Sequence, residues 1–330
     1  MDPRRVVSIR RRGVRGRFAA LVLDLDELRP QRERAQQAPQ EDPRADRGSD
    51  RRHEGREVKL QRCLDEALRL AHLAGAELLR RRGAEVSFES KGVRRELVTA
   101  ADRAAERIVV EGLQAAFPDH AILAEEGVLT TVGEPSSGSE WLWIVDPLDG
   151  TTNFVHGLPF YCCAIALAHR GVPVVGVVHA PALGETYSAL SGAGARMSGR
   201  GKGERALSVS STAAFEDALL ATGFSYNRNE LGRDDNTASI GRVLPRCRDL
   251  RRLGSAELDL CLVASGTYDG YWERYLQPYD VAAGAVIVRE AGGRVSDYAG
   301  GDEWLFGDSI VATNGALHAD LCELLGRPAG

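Results

Sequence analysis

Apolar positions in residues 59–82 recur at intervals of three and four: Leu60, Cys63, Leu64, Ala67, Leu68, Ala71, Ala74 and Leu78. That spacing predicts a helix over Lys59–Arg82 with one buried stripe. A second helix is predicted from Val98-Thr99-Ala100-Ala101-Asp102, with Ala105, Ile108, Val109, Gly112, Leu113 and Ala116 on its inner face and Pro118 as its stop. Short apolar runs predict strands over Ala121–Ala124 and Trp141–Val145, with Glu134–Ser139 as a surface loop between them. Tyr161–Ala168 and Val172–His179 read as strands paired around Gly171, and Glu185–Leu190 as a third. Ser191–Gly203, with five glycines, reads as a turn-rich hairpin, and it lacks the Gly-Lys-Ser/Thr ending of a phosphate loop. Helices are then predicted over Ala256–Ser265, Val281–Glu290 and Leu317–Leu325, with strands at Tyr268–Glu273, Gly293–Ser296 and Ser309–Ala312. Helices alternating with mixed strands indicate a layered α/β or α+β architecture.

Composition narrows the class. The chain has 330 residues and 43% hydrophobic content, enough for a substantial core in one large domain or two medium ones. The net charge of −5 conceals an asymmetry, an arginine-rich first 57 residues ahead of an acidic body. An acidic body argues against general nucleic-acid binding and suits a site that gathers cations. Six scattered cysteines read as reduced thiols of a cytoplasmic protein, and no Cys-x-x-Cys pair suggests zinc. No apolar run is long enough to span a bilayer, and no signal peptide is evident.

Residues 1–57, rich in Arg, Gln, Pro and Asp, are expected to be a disordered extension or the product of a mis-assigned start. Only three lysines occur among 42 basic residues, a bias that suggests GC-rich coding DNA, and Val58 directly precedes the first good helix. Within this stretch Leu21–Glu27 imitates the strand and Asp-x-Asp of haloacid-dehalogenase-type phosphatases. Leu28 stands where that motif wants Thr or Val, and no convincing fold follows. The catalytic domain is expected over 58–330.

Acids close several apolar segments: Asp102, Glu125 with Glu126, Asp146, Asp149 and Asp280. Each alone reads as surface charge. Together they suit hard cations, because crowded carboxylates raise one another's pKa unless a cation compensates them. In Trp143–Phe154 two carboxylates three residues apart precede Gly150, Thr151 and Thr152, an order that suits a divalent ion beside a phosphate.

From about Lys59 onward the chain resembles the inositol monophosphatase family. The likeness rests on Leu97–Asp102, Leu123–Gly127, Asp146–Gly157, Leu253–Ala256 and Tyr279–Gly284, five motifs in the family's order. It implies an αβαβα sandwich of the inositol monophosphatase / fructose-1,6-bisphosphatase type, two or three Mg2+ ions, lithium sensitivity and a homodimer. It further implies metal ligation by Glu125, Asp146, Asp149, Asp280 and the carbonyl of Leu148, with Asp146 bridging two ions. Asp102 and Thr151 would orient and deprotonate the attacking water, and Glu125, also counted as catalytic, would help a weaker third ion through water. The N–H groups of Gly150 and Thr151 would bind phosphate, and Asp149, Ser255, Ala256 and Glu273 the polyol. Lys91 falls where the family has a mobile-loop lysine.

The implied activity is hydrolysis of inositol 1-phosphate, or a related small polyol phosphate, by in-line attack of water. Fructose-1,6-bisphosphatase or histidinol-phosphatase activity, or a role as a transcription or RNA-processing partner, stays open. The chain departs from the family pattern at Glu96, Tyr279 and Glu257. Glu257 reads as a solvated helix charge or an altered substrate rim.

Overall fold

The computed structural model describes residues 49–82, 88–90, 97–127, 139–199, 201, 203–225 and 236–326. Lys91, Glu96 and the Leu21–Leu28 segment lie outside the described residues. Helix α1 (Ser49–Arg82) starts ten residues before the predicted Lys59. A two-stranded ribbon, β1 (Phe88–Ser90) with β2 (Leu97–Thr99), leads into α2 (Ala100–Ala116). Thr99 caps α2: its hydroxyl accepts from Ala101 N–H, and the Asp102 carboxylate reaches back to Thr99 N–H.

A seven-stranded sheet follows in chain order: β3 (Ala121–Ala124), β4 (Trp141–Asp149), β5 (Cys162–His169), β6 (Val172–Ala180), β7 (Glu185–Leu190), β8 (Gly194–Gly199) and β9 (Arg205–Ala206). Among the described residues of this sheet, only β3 and β4 pair in parallel. The glycine-rich stretch read as a hairpin supplies β8, which extends the sheet past its turn. After β4 comes the short helix α3 (Thr151–Val155).

The second sheet has five strands in the order β11-β10-β12-β14-β13. These are β10 (Leu219–Thr222), β11 (Asp249–Arg251), β12 (Gly270–Arg274), β13 (Arg294–Ser296) and β14 (Ser309–Thr313). The chain between them forms α4 (Thr237–Val243), α5 (Ala256–Ala264), α6 (Ala282–Glu290) and α7 (His318–Gly326).

The layers run α1/α2, seven-stranded sheet, α5/α6, five-stranded sheet, α4/α7, which is an αβαβα sandwich. Strands β4 to β6 are apolar on both faces because both are covered. Val145, Cys163, Ile165, Leu167 and Val177 join the α1/α2 core; Ile144, Cys162, Ala164, Ala166 and Val178 join the α5/α6 core. The inward face carries small side chains because α5 and α6 lie close against it. Adjacent Cys162 and Cys163 thus part to opposite faces, as strand geometry dictates. Among the described residues no helix is long and apolar enough to cross a membrane.

His318 is buried at the start of α7 between two hydroxyls, Ser296 Oγ at 2.8 Å and Thr313 Oγ1 at 3.0 Å. Burial, with Arg294 nearby, lowers its pKa to about 4. The unfolded imidazole titrates near ~6.5. The folded state therefore resists protonation, so the stability His318 contributes is complete above that value and is lost as pH falls toward 4. We predict that wild type loses stability relative to His318→Gln between pH 7 and pH 4.5, read by urea unfolding of both chains. A difference that stays constant with pH would contradict this.

Candidate functional site

A β-bulge builds the centre of the site. Asp146 and Asp149 lie three residues apart, which on a regular strand would send their side chains to opposite faces. Their partners on β5 are Ala164 and Cys162, two residues apart, and the register shifts between the two aspartates. The extra residue brings Asp149 round to the face that Asp146 already occupies. Pro147 lies within the bulge, where a missing N–H costs the ladder least. Asp146 Oδ1 accepts the Leu148 N–H at 2.9 Å, which closes the bulge on itself.

Gly150 ends the strand at φ +90°, where a β-carbon would come within 2.8 Å of the Phe160 carbonyl. Only glycine fits there. The chain then enters α3, and the Thr151 hydroxyl lies 3.1 Å from both Asp102 Oδ1 and the Leu148 carbonyl. Asp102 Oδ2 in turn accepts from Thr99 N–H at 2.8 Å and the Thr99 hydroxyl at 2.6 Å. Burial raises the Asp102 carboxyl above its ordinary value, and these hydrogen bonds oppose the shift.

Glu125 follows the end of β3 beside β4, with its N–H bonded to the Val145 carbonyl. The next N–H, of Glu126, donates to Glu106 Oε2 at 2.7 Å, so a buried acid of α2 fixes this turn. Asp280 arrives from the other sheet, in the single turn Pro278–Asp280 that precedes α6. Its Oδ2 accepts the Gln277 N–H at 2.6 Å. Asp149 Oδ2 is held by Ser255 Oγ at 2.7 Å and Glu257 N–H at 2.8 Å, both from the start of α5.

Glu125, Asp146, Leu148, Asp149, Gly150, Thr151, Ser255, Ala256, Glu273 and Asp280 all line one cleft of about 190 Å3. Asp102 lies behind it, fully buried, and reaches it through Thr151. Burial holds the Asp146 carboxyl well above the usual carboxylate range, and Glu125, Asp149 and Asp280 push it further. Burial followed by Glu125 does the same to Asp280. Asp149 is raised by burial against the pull of its hydrogen bonds.

Among the described residues no group of three or more His, Cys, Asp or Glu side chains stands at a spacing that would already hold a metal ion. The acids line a common cleft, and a named donor holds one oxygen on each of Asp146, Asp149 and Asp280. Hard carboxylate and carbonyl oxygens in a cation-poor cleft are the donor chemistry that Mg2+ takes. Glu125, Asp146, Asp149, Asp280 and the Leu148 carbonyl are the groups that would hold it.

Glu257 departs from its expected place. It is neither solvated nor at the cleft rim; it is fully buried, and its carboxylate accepts the N–H groups of Ala283 and Gly284. Other residues carried no warning in the sequence. Tyr271 donates its hydroxyl to Glu273 Oε2. Burial pushes the Glu273 carboxyl up to about 7, and this hydrogen bond works against that rise. Asp259 lines the cleft with its Oδ1 buried and unbonded among the described residues. Asn153 ties α3 to the Leu253 carbonyl at 2.9 Å, and its place in the Asp146–Gly157 motif was the available hint.

A model of the inositol monophosphatase family matches residues 59–327. The chain is 43% identical over 267 residues to an inositol-1-monophosphatase of Synechocystis, covering 81% of this chain and 89% of that protein. It is 42% identical over 258 residues to a protein named Nus factor SuhB of Pseudomonas aeruginosa, covering 77% and 92%. The solved inositol monophosphatase of Anabaena superposes with a TM-score of 0.72 at 39% identity, covering 82% of this chain and 98% of that one.

The raised carboxyls have a measurable consequence. A carboxyl whose folded pKa lies above its unfolded value costs stability as pH rises through the folded pKa. In chelator at pH 7.5, Asp146→Asn is therefore expected to melt above wild type, by about 1.5–2 °C per kcal/mol of repulsion relieved. Added Mg2+ should raise the melting temperature of wild type and leave that of the variant nearly unchanged. A variant that melts lower in chelator yet responds fully to Mg2+ would contradict the crowding.

Proposed function

The chain belongs to the inositol monophosphatase family, and from that premise we propose that it is an Mg2+-dependent phosphomonoesterase acting on inositol 1-phosphate or a related small polyol phosphate. The observation that carries this reading is the convergence of Glu125, Asp146, Asp149 and Asp280 on one cleft beside the Asp102–Thr151 pair. Phosphate monoester hydrolysis is among the slowest uncatalysed reactions, so it calls for charge compensation at both the attacking and the leaving oxygen. Mg2+, when bound, lowers the pKa of water and offsets charge on phosphoryl and leaving oxygens.

The chain's own groups do the positioning. Thr151 Oγ1 takes a proton from the attacking water and passes its own to Asp102 Oδ1. The raised pKa of Asp102 makes it a better acceptor than a solvated aspartate. Thr99 holds the other oxygen and so keeps Asp102 facing Thr151. The N–H groups of Gly150 and Thr151, residues that line the cleft, receive the phosphate oxygens. Ser255 fixes Asp149 for a polyol hydroxyl, and Tyr271 fixes Glu273 for another. These carboxylates disfavour a second phosphate on the substrate, which is the argument for a monophosphate over fructose 1,6-bisphosphate.

A second reading, as a partner of the transcription or RNA-processing machinery, draws on the relative named Nus factor SuhB. Retention of the acidic set favours the enzyme.

A panel of phosphate esters at fixed Mg2+ tests the proposal. Inositol 1-phosphate or another small polyol monophosphate is expected to give the highest kcat/KM, and Asp146→Asn to abolish turnover with the fold intact. The loss of charge compensation at the reacting atoms should cost several kcal/mol, about 3 or more. Retention of more than about a tenth of the activity, a loss of only ~1.4 kcal/mol, would refute the role of Asp146. Glu273→Gln is expected to raise KM for polyol substrates more than it lowers kcat.

A further inference from the structure

Asp149 and Asp280 belong to different parts of the fold. The first ends β4 of the seven-stranded sheet, and the second lies in the turn that leads into α6. Glu257 connects them. Its backbone N–H donates to Asp149 Oδ2 at 2.8 Å. Its side chain runs the other way, and its two carboxylate oxygens accept the N–H groups of Ala283, at 3.1 Å, and Gly284. Those N–H groups open α6, which begins two residues after Asp280. One residue therefore bonds a cleft acid through its backbone and grips, through its carboxylate, the helix entered from the turn that carries another.

The arrangement is costly and specific. Glu257 is fully buried close to Asp149, where burial and that neighbour both oppose its charge. A small apolar side chain would fill the position without that penalty. The free N–H groups and the positive end of the helix dipole offset it. The approach also requires glycine at 284, where a β-carbon would lie 2.7 Å from Glu257 Oε2 and 2.6 Å from Leu260 Cβ.

We propose that Glu257 is a positioning residue that sets the spacing between Asp149 and Asp280, and through it the affinity of the cleft for a second divalent cation. This rests on the reading of those two acids as ligands of one ion. Groups that orient metal ligands from behind typically govern affinity by ~10–100-fold when removed. Glu257→Ala leaves two helix N–H groups without an acceptor and frees the Asp280 turn to shift. Glu257→Gln keeps one acceptor oxygen and loses the other along with the charge.

The test uses the full chain with Mn2+ as a paramagnetic probe titrated by EPR, with circular dichroism and a melting curve to establish folding. Wild type is expected to bind Mn2+ in a tight and a weaker class. Glu257→Ala should weaken the weaker class about tenfold or more, leave the tight class within about twofold, and recover kcat at high Mg2+. Glu257→Gln should fall between, and if the alanine variant does not fold the glutamine variant alone decides. Unchanged binding in the folded variants, or equal weakening of both classes, overturns the inference. Wild-type protein that binds no Mn2+ overturns the phosphatase reading itself, and this inference with it.

Discussion

Six carboxylates, Glu125, Asp146, Asp149, Asp259, Glu273 and Asp280, line a cleft whose described lining includes one basic side chain, Arg252. Like charges at such proximity in a poorly solvated site cannot all ionise without a compensating cation. Much of the surrounding structure serves to hold that unfavourable arrangement. The bulge in β4 turns Asp149 to the side of Asp146, Ser255 and the start of α5 grip Asp149, and Gln277 grips Asp280. On the proposed reading, the fold accepts this repulsion so that a divalent cation would find its ligands already oriented. Preorganisation of this kind places the stabilisation where charge changes during the reaction.

The two sheets divide the work. The first supplies Glu125, Asp146, Asp149 and, through α3, Thr151; the second supplies Glu273 and the approach to Asp280. The helices α5 and α6 fill the space between them, so distances across the cleft depend on how closely that pair packs. Alanines at 164, 166 and 168 on the inward face of β5 permit the close approach. Ordinary core packing at a distance thus becomes a determinant of the spacing of the cleft acids.

The sequence was most legible where its signal was local. The stripe of α1, the start of α2 and the apolar runs of β3 to β7 could be read from spacing alone. The acids could be picked out because five motifs stood in order. Short elements of the second sheet were not legible: β10, β11 and α4 have only three to seven residues, too few to establish a period. The direction of Glu257 was hidden because its partners are backbone N–H groups of a helix 26 residues away. Asp259, Tyr271 and Glu106 escaped for a related reason, since a polar residue within an apolar stretch discloses a partner only when the fold brings one to it. The bulge had a visible clue in Pro147, and its consequence, the turning of Asp149, needed the register with β5.

On the proposed reading, acids reached from both sheets form one cation-binding centre. Diffraction from crystals soaked in Mn2+, with an anomalous difference map, tests it most directly. At least two peaks are expected in the cleft, with Asp146 between them and Asp280 beside one. A map with no peak between Asp146 and Asp280, or with manganese bound only elsewhere on the chain, would contradict it.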